Sequence, residues 1–322
     1  MLRTSRHALQ SQASGFTVIE LLVVTAVIGL LMSLLLPSVQ QMRESARCTA
    51  CMNNIREVAF ACHQFELTYR VLPPGHSGPS NASFDQMPEA QRTAQHRWTG
   101  HLGFLLPYLE QDAYYHSLDP DLWVRHAAGG PAWFLRANTL DLLKTTRLPV
   151  FQCPSDTQSP DLGSIYAIQD PVVIVSAASI GNGSTNYLGC SGNRIRNDLG
   201  HFGATGVFYS QSRVSLGDIT DGLSNTILMG EVLGESAEDN PDDVQQRHAI
   251  LCGAAGLDGF WRLDATEDQG PSYAVVFRSR HNSFVNMSFV DGSVKKIHSS
   301  VDDVVLKGLG SIAGGEALNP GF

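Results

Sequence analysis

Between Leu21 and Leu36 the chain carries no charged residue, and this run restricts the fold more than any other feature. Phe16 to Leu36 is 21 residues. As a helix it would be roughly 31 Å long, about the thickness of a bilayer's hydrocarbon core. Fourteen residues precede Gly15, with Arg3, Arg6 and His7 among them, which favours an N-in orientation. One acid breaks the pattern. Glu20 stands near the start of the run, where an ionisable group is costly unless partnered. A secretory signal has a shorter apolar core followed by a small-residue cleavage site, and PSVQQMRESAR after this core has none. A plain anchor explains the length and leaves Glu20 without a role.

The residues SGFTVIELL, from Ser14 to Leu22, resemble the processing site of type IV prepilins and type II secretion pseudopilins. The resemblance implies cleavage by a prepilin peptidase between Gly15 and Phe16, and methylation of the new amine at Phe16. It implies retention of the span as both inner-membrane anchor and assembly helix. Glu20 matches the family's glutamate. A carboxylate buried among packed helices needs a cation, and the Phe16 amine of a neighbouring pilin-like subunit would supply it. The helix dipole also favours an acid in the first turns. Pro37 fits the same pattern and permits a kink or local melting.

Apolar positions continue beyond Pro37 at Cys48, Cys51, Met52, Ile55, Val58, Ala59, Cys62, Phe65 and Tyr69, in steps of three and four. An amphipathic half-helix is therefore expected to about Arg70, where LPPG ends it. From Val71 the texture changes to short β-type runs between turn residues. Strands are expected over 171–180, 204–210, 225–232, 273–279 and 286–297, the last as a hairpin turning at Asp291-Gly292. Short helices are expected near 139–146 and 301–309. The fold class is α+β: a long N-terminal helix on a mostly antiparallel sheet. The expected organisation is a leader at 1–15, a transmembrane helix at 16–36, an amphipathic continuation at 37–70 and an extracytoplasmic body at 71–322.

Five blocks strengthen the assignment: CMNNIREVAFACHQF from Cys51, LLPYLEQ from Leu105, FQCPSD from Phe151, SLGDITDGLSNTILMGE from Ser215, and SRHNSFVNMSFVDGSVKKI from Ser279. In this order they resemble a family of prepilin-like proteins of unknown function, best known from planctomycete-type bacteria. Its C-terminal signature is a histidine, nine residues, then Asp-Gly, matched here by His281 and Asp291-Gly292. The resemblance supplies no activity. Cys51 and Cys153 both fall in these blocks, and a bridge between them is expected if the body is extracytoplasmic. Cys190 with Cys252 is a weaker pairing.

The formal net charge of -9 argues against a nucleic-acid partner. Cys48-x-x-Cys51 follows no strand and has no second pair, so a redox or zinc motif is disfavoured. On a straight strand His281 and Asp291 would stand roughly 30 Å apart, which favours separate structural roles. Asp218 and Asp221 could hold structural calcium, although Asp-Gly and Ser-Asn are also ordinary turn chemistry. No cofactor is otherwise indicated, and no catalytic constellation marks an enzyme. Two functions remain. One is a structural subunit of a type IV pilus-like filament or secretion pseudopilus. The other is a membrane-anchored protein whose body binds a glycan or other ligand.

Overall fold

The computed structural model describes residues 17–78, 91, 95–125, 129–156, 164–169, 172–176, 183–192, 194–196, 202–232, 246–249, 277–281 and 283–315. Gly15 and Phe16 lie outside them. The chain divides into two units, Met1–Ala46 and Arg47–Phe322.

One helix, α1, runs over Val18–Tyr69 and continues through Pro37. In the first unit its apolar side chains are exposed around the whole circumference, from Val18 and Ile19 to Leu36 and Met42. The helix is long and apolar enough to cross a membrane. The hydroxyls of Thr25 and Ser33 donate to the carbonyls of Leu22 and Leu30, so neither is left bare in an apolar setting. Pro37 brings no N–H to the ladder, yet the helix is not interrupted there.

In the second unit the helix buries most of the stripe seen in the sequence, while Met52 is half-buried and Tyr69 is exposed. Cys48, Cys51, Ile55, Val58, Ala59, Cys62 and Phe65 are all buried. Among the described residues ten strands follow: β1 Ser164–Gln169, β2 Val172–Ser176, β3 Ser184–Thr185, β4 Tyr187–Gly189, β5 Arg194–Arg196, β6 Phe202–Ala204, β7 Ile227–Glu231, β8 Gln246–Ala249, β9 Phe284–Phe289 and β10 Val294–His298. They form a sheet in the order β2-β1-β8-β3, a ribbon β5-β6, and the central sheet β10-β9-β7-β4. Every pairing in the central sheet is antiparallel. The β7–β9 register shifts between Ile227 and Met229, which inserts one residue into β7.

The central sheet has two covered faces. Val285, Met287 and Phe289 alternate along β9 and pack with Leu188, Ile227, Ile297, Leu306 and Leu309, the last two from the helix Asp303–Leu309. The opposite face joins a larger core that holds the stripe of α1, Tyr187, Met229, Trp98 and Trp133. Asn286 and Ser288 alternate with the apolar residues of β9, so polar groups reach this helix-facing side. With the long apolar helix, this makes an α+β architecture of pilin type.

The hairpin expected at Asp291-Gly292 is present. Gly292 has φ +82°, and the Asp291 side chain accepts from the backbone of Ser293. The helices expected near 139–146 and 301–309 occupy Ala137–Thr145 and Asp303–Leu309. The strand expected over 204–210 is not formed. Only Phe202–Ala204 is strand, and Val207 and Phe208 are both fully buried, so the alternation a half-buried strand needs is absent. Gly206 instead lies against Gly192 so closely that a Cβ would stand 2.3 Å from the Gly192 nitrogen. Of the strand expected over 273–279, Phe277 to Ser279 is irregular and the rest lies outside the described residues.

Candidate functional site

At the start of α1, Thr17 and Glu20 form a reciprocal cap. The Thr17 backbone N–H and hydroxyl each donate to Glu20 Oε2 at 2.8 Å, and the Glu20 N–H donates to the Thr17 hydroxyl at 3.3 Å. This capping box satisfies donors that a helix start leaves open. It gives the acid a local role within one chain, which the spacing T-x-x-E could have shown.

The second cluster lies in the body, where α1 meets the central sheet. Cys51 on α1 is bonded to Cys153 in the FQCPSD block, at a sequence separation of 102. Around the bridge, Asn54 donates to the carbonyls of Pro149 and Gln152 at 3.3 and 2.9 Å. The Tyr187 hydroxyl donates to the Cys51 carbonyl at 3.3 Å. The Asn186 side chain accepts from the Cys153 N–H at 2.9 Å and donates to the Val232 carbonyl at 3.0 Å. Burial raises the Tyr187 phenol above its ordinary range, with the Glu231 charge adding to the effect.

His281 reaches the same place. Its Nε2 lies 3.6 Å from Cys153 Sγ and 3.6 Å from Glu231 Oε1, and its ring stacks on Phe284. Glu231 ends β7. Its two oxygens accept from the backbone N–H and the side-chain amide of Asn286, each at 3.0 Å. Cys51, Cys153, Glu231 and His281 are all buried, and one ligand-type atom from each lies within 4.8 Å of the others.

The structure therefore separates the two ends of the His281 to Asp291-Gly292 signature. His281 sits in this buried cluster, whereas Asp291 makes the hairpin turn, with its N–H donating to Leu223 O at 3.0 Å. Sequence reasoning missed Glu231, Asn286, Asn186 and Tyr187. One signal was available: Glu231 is an acid closing the apolar run ILMG.

Asp218 and Asp221 meet different donors. Asp218 accepts from the Ser215 N–H and hydroxyl in a capping box. Asp221 accepts from Ser311, Gly314 and Gly315, and so ties down the segment after the last helix. Cys48, Cys62 and Cys190 are buried free thiols, and Cys252 lies outside the described residues. Trp98 and Trp133 are buried, so neither offers a surface for stacking a sugar. Trp123 is half-buried, and Trp261 lies outside the described residues.

A long apolar helix leading into an antiparallel α+β body defines the pilin-like class. The chain belongs to the family described as proteins of unknown function DUF1559, which it matches over residues 40–304. It is also similar to the type II secretion system core protein G of Pseudomonas aeruginosa, 33% identical over 67 residues. That match covers 21% of this chain and 47% of the relative, so the chain spans about half the length of that protein. No solved structure matches.

Proposed function

We propose that this chain is a pilin-like structural subunit with no catalytic activity of its own. A prepilin peptidase cuts between Gly15 and Phe16, the new Phe16 amine is methylated, and α1 holds the subunit in the inner membrane with the body outside. The subunit then assembles through α1 with other pilin-like subunits, in a type IV pilus-like filament or a type II secretion pseudopilus. The observation that carries this reading is the first part of α1: apolar around its whole circumference, yet opened by a Thr17–Glu20 cap. A side chain set exposed on every face of a helix needs lipid or like helices around it.

The cap also gives the assembly role a geometry. Both Thr17 donors end on Oε2, which leaves Oε1 for the Phe16 amine of a neighbouring subunit. Such a pair would fix the axial register between helices, since a buried carboxylate without a cation is strongly unfavourable. The Cys51–Cys153 bridge supports an extracytoplasmic body, because disulfides persist in oxidising compartments.

The test is Glu20→Ala in the native cell. Membrane insertion should persist and the yield of assembled material should fall by an order of magnitude or more. Wild-type assembly by that variant contradicts the proposed pairing.

A further inference from the structure

We propose that the reduced chain binds one zinc ion through Cys51 Sγ, Cys153 Sγ, His281 Nε2 and Glu231 Oε1, so that the Cys51–Cys153 disulfide and a zinc–thiolate centre are alternative closures of one site. This goes beyond the filament reading and does not depend on it.

The donor set is what a closed zinc site uses: two thiolates, an imidazole and a carboxylate. All four residues are buried, at 0% exposure for Cys51, 6% for Cys153, 2% for Glu231 and 3% for His281. Zinc bonds of about 2.3 Å to sulfur and about 2.0–2.1 Å to nitrogen or oxygen, at tetrahedral angles, put neighbouring ligand atoms roughly 3.3–3.8 Å apart. Two such edges already exist: Nε2 to Cys153 Sγ and Nε2 to Glu231 Oε1, both 3.6 Å. The two sulfurs, now bonded to each other, have to part, and the three remaining edges, none longer than 4.8 Å, have to settle to tetrahedral length.

The surrounding groups are those that orient ligands. Asn286 holds the Glu231 carboxylate with two donors, Asn186 holds the backbone of Cys153, and Tyr187 holds that of Cys51. Such outer contacts fix ligand direction and tune metal affinity. A disulfide by itself needs no ionisable pair beside it. Burying Glu231 and His281 costs desolvation, which their contact with each other and the two Asn286 donors offset in the disulfide form.

The chemistry balances with a dithiol as reductant. The dithiol gives two electrons and two protons to the Cys51–Cys153 bond and becomes a disulfide itself. The two thiols then lose their protons as zinc binds, with His281 neutral and Glu231 ionised. A disulfide oxidant reverses the sequence by thiol exchange: its S–S bond breaks as it takes up two electrons, the Cys51 and Cys153 sulfurs re-form their bond, and zinc leaves.

The experiment uses the full chain, purified in detergent and reduced by a dithiol under inert gas. The dithiol is removed, and Zn2+ or Co2+ is added. Alkylation counts the thiols, elemental analysis counts the metal, and Co2+ reports tetrahedral thiolate coordination by its visible and near-ultraviolet bands. The proposal expects one metal per reduced chain and none per oxidised chain. It expects loss of stoichiometric uptake in the volume-conserving variants His281→Gln and Glu231→Gln, with uptake intact in Cys48→Ser, one helical turn away. A bond that no dithiol opens in the folded chain overturns the proposal. So does an opened bond that takes up no metal, uptake unchanged in His281→Gln, or uptake that survives loss of both Cys51 and Cys153.

Discussion

His281 Nε2 lies 3.6 Å from a carboxylate oxygen of Glu231, and both side chains are sealed between α1 and the central sheet. Removing one partner of such a buried pair strands the other. Glu231→Ala also leaves both amide donors of Asn286 without an acceptor. We expect a loss of about 3–5 kcal/mol, and a smaller loss of roughly 1–3 kcal/mol for Glu231→Gln. Urea unfolding followed by the fluorescence of buried Trp98 and Trp133 reads both. A Glu231→Ala variant as stable as the parent would show that the pair contributes nothing.

The Cys51–Cys153 bridge closes a loop with a sequence separation of 102. In the chain-entropy description, a loop of that size is worth about 4–5 kcal/mol. The double variant Cys51→Ser, Cys153→Ser should lose that amount with a chelator present, and the same protein under reducing conditions should show no further loss. An undiminished midpoint in urea would mean that the packing of Ile55, Val58 and Phe65, with the hydrogen bonds of Asn54 and Tyr187, holds α1 to the body without the bridge.

Two buried histidines make the body sensitive to acid. Desolvation lowers His76 to about 4 and His101 to about 3, with neighbouring histidine charges acting the same way. Both are neutral in the folded body, and His101 Nε2 accepts from the Gly189 N–H. The unfolded chain binds their protons near pH 6.5, so stability is complete above that pH and falls as pH drops toward 4 and 3. At pH 5 each site should cost about 2 kcal/mol relative to pH 7.5. His101→Gln should flatten the fall between pH 6.5 and 4 in urea titrations. An unchanged slope would assign the acid sensitivity elsewhere.

Two glycines should respond differently to alanine. At Gly292 a Cβ meets nothing nearer than His63 at 3.7 Å, but φ is +82°, so Gly292→Ala should cost only the backbone strain of about 1–2 kcal/mol. At Gly206 the φ is ordinary and the added Cβ would run into the backbone of Gly192. Gly206→Ala should therefore be the worse of the two by at least about 1 kcal/mol. Thermal unfolding of the two variants side by side decides the order.

Much of this fold was legible where periodicity and turn chemistry act locally. The stripe from Cys48 to Phe65 marked the buried face of α1, and Asp291-Gly292 marked the hairpin, because both depend on neighbours in sequence. The segment 204–210 misled because Val207 and Phe208 are both buried and Gly206 packs on the backbone of Gly192, tertiary contacts with no local pattern. The site was only half legible. Cys51, Cys153 and His281 stood out by residue type and by family resemblance. Their meeting with Glu231 depends on the bulged β7–β9 register, which places Glu231 where the amide groups of Asn286 reach it. Asp218 and Asp221 looked like cation ligands because capping and ion binding use the same oxygens, and only the structure shows which donors they meet.

The central claim is that α1 begins at a processed end and stays with the mature protein. Mass spectrometry of the N-terminal peptide from native membranes tests it most directly. The account predicts a chain beginning at Phe16 with one methyl group on its amine. A chain beginning at Met1, or anywhere after Leu36, would contradict it.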